Sequence, residues 1–387
     1  MRLLHTADWH VGKTLKGVSR LDEQRQVLGE IVRIAREQEV DAVLVAGDLY
    51  DSAAPSAPAQ RLVVHTLTEL ARDGIEVVVI AGNHDHPATL DAYRPFAQAA
   101  GVTLIGHVRT ADQGGVVKLT TRRGERVTIA ALPFLSQRYA VRAAQLVANS
   151  PDRNAALYDE LVRDVLTALT AGFRTDAVNL VLAHLTVVGG SFGGGERQAQ
   201  SIFEYAVPAA VFPADAHYVA LGHLHRRQSL PAPAPVHYCG APLAVDFGEE
   251  ENTPCVLLVE ATPTTPARVT DIPITSARRL RTVRGTLAEL ADLADEVGDA
   301  YLRVWVREPA RAGLREEVTE LLPTALDVRI DPEFATPVTA SRRDRRPRVD
   351  RSPTELFGDY LAERDIADPR LSQLFARLHD RVVSGDA

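Results

Sequence analysis

Short apolar runs that each end in polar residues of one chemical kind constrain this chain more than any other feature. Leu3-Leu4 leads to Asp8-Trp9-His10, Ala42 to Ala46 to Gly47-Asp48-Leu49-Tyr50-Asp51, and Val77 to Ala81 to Gly82-Asn83-His84-Asp85. Further on, Val178 to Ala183 leads to His184, and Tyr218 to Leu221 to Gly222-His223-Leu224-His225. The runs have the length and content of buried strands. Between the first three, Leu21 to Gln38 carries apolar residues at helical spacing (Leu21, Val27, Leu28, Ile31, Ile34, Ala35), and Pro58 to Arg72 and Pro87 to Ala100 follow suit. Strand and helix in alternation imply a parallel sheet. The carboxyl ends of neighbouring strands in such a sheet line one crevice, so residues far apart in sequence converge there.

From Val116 to Pro133, and again from Tyr218 to Pro273, short β-branched runs are broken by Gly and Pro. That pattern predicts a second, more antiparallel sheet. The expected fold is therefore α/β, a two-sheet sandwich flanked by helices over residues 1–275. A polar, basic stretch at Pro273 to Arg279 marks a boundary. Beyond it, strand, helix, strand, helix, strand (Leu280 to Val283, Thr286 to Glu296, Tyr301 to Val306, Gly313 to Leu322, Leu326 to Ile330) predicts a small α/β accessory domain over 276–340. Ser341 to Arg351 holds six arginines and two aspartates, which reads as a solvated linker over 341–352 or, alternatively, a phosphate-binding segment. Residues 353–387 then predict two amphipathic helices. Ser352, Pro353 and Glu355 cap the first, and Asp368-Pro369 opens the second, with Leu371, Leu374, Phe375, Leu378 and Val382 on one face. Such helices either fold back on their own core or dock on another protein.

Composition adds exclusions. Lys and Arg number 43 against 51 Asp and Glu, a net charge of -8, so the chain as a whole does not attract nucleic acid and any polyanion must be met by bound cations or local basic patches. No apolar run approaches the ~20 residues of a membrane span. The start lacks a secretory hydrophobic region, and the expectation is a cytoplasmic protein. Cys239 and Cys255, in strand-like surroundings, read as reduced core residues.

Seven donors, Asp8, His10, Asp48, Asn83, His184, His223 and His225, exceed what one catalytic ion takes from protein, because such an ion keeps positions open. They suit two divalent cations. With Asp48 shared, the ions can sit ~3.5 to 4 Å apart around a hydroxide of lowered pKa. The mixed oxygen and imidazole set favours Mn²⁺, Fe²⁺ or Zn²⁺. His84, next to Asn83, is placed to assist a leaving oxygen rather than to hold an ion. Asp85 is expected to orient a histidine from behind, and Asp51 is a further candidate for a catalytic or supporting carboxylate. The glycine-rich segment Ser191 to Arg197 is either a mobile loop over the cleft or an ordinary surface turn.

At these blocks the chain resembles the calcineurin-like metallophosphoesterase superfamily, whose Asp-x-His, Gly-Asp-x-x-Asp, Gly-Asn-His-Asp, later His and Gly-His-x-His pattern is met in full. The opening Met1 to Gly12, the run His184-Leu185-Thr186-Val187-Val188-Gly189, Ala220 to Arg226 and Tyr238-Cys239-Gly240-Ala241-Pro242-Leu243 are similar to the bacterial SbcD family. The resemblance implies a Mn²⁺-dependent DNA exonuclease and endonuclease that processes ends and hairpins in repair, recombination and replication. It further implies one manganese on Asp8, His10, Asp48 and His225, another on Asp48, Asn83, His184 and His223, and His84 as the catalytic histidine. Residues 276–340 would form a capping domain, and the terminal helices would bind an SbcC-type coiled-coil ATPase. A homodimer through the helices after Pro58 and Pro87 and association with the nucleoid are also implied. Lys13, Lys16 and Arg20, close behind the first block, are the candidates for contact with a DNA backbone. The rival readings are a phosphatase or phosphodiesterase of small molecules at the same site, and a catalytically silent scaffold.

Overall fold

The computed structural model describes residues 1–136, 151–196 and 206–334, with seven positions between 357 and 375. The Arg-rich linker, Arg197 and most of the terminal helices lie outside the described residues. Two compact units are present, residues 1–334 and 335–387. In the second, the rings of Phe357 and Phe375 stack with centroids 4.2 Å apart.

Two six-stranded sheets pack face to face in the first unit, giving the α/β sandwich that the alternation of strands and helices requires. The strands Arg2–Thr6, Ala42–Val45, Glu76–Ile80 and Val102–Ile105 run parallel in one sheet. Helices α1 (Leu21–Glu37), α2 (Ala57–Ala71) and α3 (Pro87–Ala99) connect them. Strand alternation sorts the side chains. Leu3, Leu44, Val78 and Ile80 turn into the space between the sheets, where they meet Val127, Ile129, Leu180 and Leu182. Leu4, Val43, Val45, Val77 and Val79 turn outward under α1 and α2, against Leu28, Ile31, Leu62 and Leu67. Ser56 opens α2 with a hydroxyl that accepts the Ala59 amide, and Pro58 stands in its first turn.

The second sheet departs from expectation. Its centre is parallel, with Arg126–Leu132, Val178–His184, Tyr218–Gly222 and Val236–Tyr238 side by side, and only its edge strands are antiparallel. The hairpin of Cys255–Thr262 and Thr265–Pro273 joins the first sheet instead, pairing with Arg2–Thr6. The reason is burial on both faces. Val178–His184 is buried at every position, between the inter-sheet core and helix α4 (Pro151–Thr170), which covers it with Tyr158, Val162 and Leu166. Continuous apolar strands of this kind belong to covered parallel sheets. Cys239 and Cys255 are free thiols buried between the sheets.

After Pro273 the chain forms a separate three-stranded parallel sheet, Leu280–Gly285, Tyr301–Val306 and Ala325–Ile330, with helices at Leu287–Asp292, Ala294–Val297 and Leu314–Leu321. It has its own apolar cluster of Leu290, Leu302, Val304, Val306 and Val318. Leu280, packed with Leu15 and Phe247, ties it to the sandwich. Among the described residues, no helix is long and apolar enough to cross a membrane.

Candidate metal centre

Every polar block sits at a strand exit, and the parallel pairing of Arg2–Thr6 with Ala42–Val45, and of Tyr218–Gly222 with Val178–His184, brings the blocks to one end of the sandwich. The local backbone is bent to aim them. Asp8 (φ 54°), His10 (φ 44°), Asp48 (φ 53°) and His223 (φ 104°) all take left-handed conformations that cost a side-chain-bearing residue energy. Gly222 is required for a different reason, since a Cβ there would collide with the carbonyl oxygen of Ala46 on the facing sheet.

All seven expected donors converge. Ligand atoms of Asp8, His10 and His225 lie within 4.8 Å of one another, as do those of Asp8, Asp48 and His184. Asp48 stands between the two groups, its Oδ2 3.7 Å from His10 Nε2 and 3.6 Å from His184 Nε2. Oδ1 of Asn83 completes the second group, 2.9 Å from His184 Nε2 and 2.8 Å from His223 Nδ1. The Asp8 carboxylate accepts the His223 amide at 3.0 Å. Asp8, Asp48 and the four imidazoles are buried.

The donor chemistry asks for cations. Nδ1 of His184 donates to the Ala46 carbonyl at 2.7 Å. Burial, reinforced by His84 and His225 and opposed by that hydrogen bond, lowers the ring to about 3. The neutral ring then points a bare Nε2 lone pair at the oxygens of Asn83 and Asp48, acceptor against acceptor, a conflict that a cation between them resolves. Burial also lowers His10, and lowers His223 to about 3. His225 differs: burial opposes its charge, but Glu249, Asp8 and Glu196 raise it to about 10. Burial raises Asp8 and Asp48, whose charges also repel one another. Three neutral imidazoles facing crowded carboxylates fit divalent cations.

His84 stands beside the donors, with a ring nitrogen within 4.8 Å of ligand atoms of His10 and Asp48, and is tied by contacts of its own. Its amide donates to Asp48 Oδ1 at 2.8 Å, and its Nδ1 to the Asp51 carbonyl at 2.8 Å, with the ring edge-on to His10. The Asp51 carboxylate is turned to Lys13, 3.0 Å away, and lies 4.0 Å from His84 Nδ1. Among the described residues Asp85 meets amides and not a histidine. Its carboxylate accepts the amides of Gly82 (2.9 Å), Tyr50 (3.1 Å) and Leu49 (3.2 Å), clamping two strand exits together. Burial and the charge of Asp48 push it up to about 7 against the pull of those amides.

The three basic candidates separate as well. Arg20 is buried, forks onto both Glu23 oxygens at 2.8 Å, reaches the Ala244 carbonyl and lies over the Tyr301 ring, so it is not a DNA-facing residue. Lys16 pairs at 3.4 Å with Asp327 of the three-stranded sheet. Lys13 stays at the rim beside Asp51 and His84. Ser191 to Glu196 packs onto the site instead of standing over it: Glu196 accepts the amides of Gly193, Gly194 and His225.

Glu196, Glu249 and Phe134 escape a reading of the sequence. Glu249 binds Nδ1 of His225, and Phe134 packs within about a ring width of His184 and His223, with centroids 6.1 and 6.2 Å away. No spacing marks them. The demand that a ligating imidazole hold its second nitrogen to an acceptor would lead to Glu249.

A family model described as calcineurin-like phosphoesterase matches residues 1–227, the stretch that carries all seven donors. Fold and site are those of a metal-dependent phosphoesterase. A second model, described as type 5 capsule protein repressor C-terminal domain, matches residues 276–365. A Bacillus subtilis protein named as the D subunit of the nuclease SbcCD is 36% identical over 325 residues, 82% of this chain and 81% of that protein. Proteins of the same name from Rhodobacter capsulatus (37% over 260 residues, 64% of each chain) and Escherichia coli K12 (30% over 296 residues, 75% of this chain and 72% of that one) are also similar. The chain belongs to the SbcD family of calcineurin-like phosphoesterases.

Proposed function

We propose that the chain acts as the nuclease component of an SbcCD-type assembly, a Mn²⁺-dependent DNA exonuclease and endonuclease working on ends and hairpins in repair, recombination and replication. The observation that carries this reading is the convergence of seven donors in which the neutral His184 ring turns a lone pair onto oxygens, in a chain whose relatives are named nucleases. Asp8, His10, Asp48 and His225 would hold one cation, and Asp48, Asn83, His184 and His223 the other. When bound, such a pair supplies an activated water and offsets the charge that builds on the phosphate.

The chain's own groups do the rest. Because Nδ1 of His84 is committed to the Asp51 carbonyl, a proton handed to the leaving oxygen comes from Nε2 of the imidazolium, and the neutral ring left behind keeps its proton on Nδ1. Asp51 supports this through its backbone oxygen, and its carboxylate pairs with Lys13, which with Lys16 would contact the DNA backbone. Residues 276–340 would cap the cleft. Residues 353–387 would carry the binding site for an SbcC-type ATPase, and α2 with α3 would form a homodimer contact.

The test sets hairpin and linear duplex DNA beside a phosphomonoester and a cyclic nucleotide, with Mn²⁺ added and bound metal counted. DNA cleavage with two ions per chain is expected. Hydrolysis of the small esters alone would overturn the reading.

A further inference from the structure

We infer that Glu249 is a positioning residue that fixes the His225 ring for one cation of the proposed pair, so that the two cation positions depend on different supports. The inference rests on the two-cation reading above. Nδ1 of His225 meets Oε1 of Glu249 at 2.5 Å. A carboxylate only accepts, so Nδ1 carries the proton and Nε2 is left to face its counterpart on His10, 3.0 Å away, and the Asp8 carboxylate.

Glu249 itself cannot swing. It is 1% exposed, its Oε2 accepts the Val245 amide at 2.7 Å, and the turn Phe247–Glu249 that delivers it is opened by the Asp246 side chain, which accepts the Gly248 amide. The glycine-rich strap lies directly on this carboxylate, for a Cβ at Gly195 would collide with Oε1. Glu196 closes the same corner through the His225 amide at 2.9 Å.

Among the described residues, no such support stands behind the other rings. His184 rests on the neutral Ala46 carbonyl, His223 turns Nδ1 inward to Asn83, and the buried Nδ1 of His10 has no hydrogen-bond partner among the described residues. A carboxylate behind a ligating imidazole fixes the tautomer and raises its basicity, and its loss costs roughly 10- to 100-fold in metal affinity. The loss should therefore fall on one ion and spare the other.

The experiment is Mn²⁺ titration calorimetry of the full chain, with manganese counted per chain after dialysis, for wild type, Glu249→Gln and Glu249→Ala. The expected result is two ions in wild type, with one weakened about 10-fold in E249Q and about 100-fold in E249A while the other is unchanged. Metal-free E249Q should stay folded, because the glutamine oxygen still accepts from Val245, and should melt below wild type, because the carboxylate facing the His225 ring is gone. Equal weakening of both ions or no weakening of either would overturn the assignment. A wild-type chain holding one ion would remove the two-cation reading by itself, and Glu249 would then stand or fall on whether that ion weakens in E249Q.

Discussion

His84 and Lys13 are where single substitutions separate chemistry from framework. His84 lies beside His10 and Asp48 with its Nδ1 given to the Asp51 carbonyl and is not one of the seven donors, so H84S should keep both ions while turnover falls by about 10². Metal counting beside a nuclease assay checks this, and unchanged turnover would remove His84 from the chemistry. Arg20 and Lys13 give opposite signatures. R20A strips a buried charge from Glu23 and should cost about 3 kcal/mol in denaturant unfolding, with no effect on the salt dependence of DNA binding. K13A should leave stability alone and reduce the slope of log affinity against log salt by about 1. Equal slopes in K13A and wild type would end the DNA-contact assignment. The seven donors are legible in the sequence because each must stand at a strand exit, a position that periodicity reveals. Arg20 misleads because sequence proximity to a site does not tell a rim residue from one folded under Tyr301. Asp85 misleads because a carboxylate that serves three amides looks, in sequence, like one that serves an imidazole.

At the scale of elements, the hairpin of Cys255–Thr262 and Thr265–Pro273 shows where pattern reading stops. Short β-branched runs identify its strands, but which sheet they extend is set by pairing with Arg2–Thr6, some 250 residues away, a long-range choice that alternation does not encode. Behind that hairpin, helix α1 holds the start of the accessory unit. Glu30 accepts four hydrogen bonds from the amides and hydroxyls of Thr275 and Ser276, at 2.7 to 3.0 Å, and a fifth from Arg33 at 3.2 Å. Burial pushes its carboxyl up, yet these bonds win and hold it below the ordinary 4.5. A carboxyl depressed in the folded state stabilises it above the unfolded pKa, and that contribution fades as pH falls through the folded value. Removing the acceptor in E30A should therefore cost about 2 kcal/mol at pH 7. The gap from wild type should narrow once pH drops below 4.5. Melts across that range check it, and a gap constant with pH would mean that packing, not charge, is what Glu30 contributes.

For the whole molecule the decisive surface is the apolar groove between α2 and α3. Phe96 is 80% exposed, Val64 54% and Tyr93 41%, along a groove of about 440 Å³ floored by Leu67, Leu90 and Leu104. Scattered apolar residues on a surface need no explanation, but a contiguous apolar groove with an aromatic ring standing beside it does. A two-fold contact satisfies both at once, since the same patch meets itself and each copy can offer Phe96 to the other's groove. The proposed homodimer places its contact here. Phe96→Glu would set a carboxylate where a ring is to be buried, at a cost that a contact of this kind does not survive. Light scattering behind size exclusion should then move from a dimeric mass to a monomeric one, while two Mn²⁺ per chain persist, because none of the seven donors lies on α2 or α3. An F96E chain that still runs as a dimer would put the contact elsewhere.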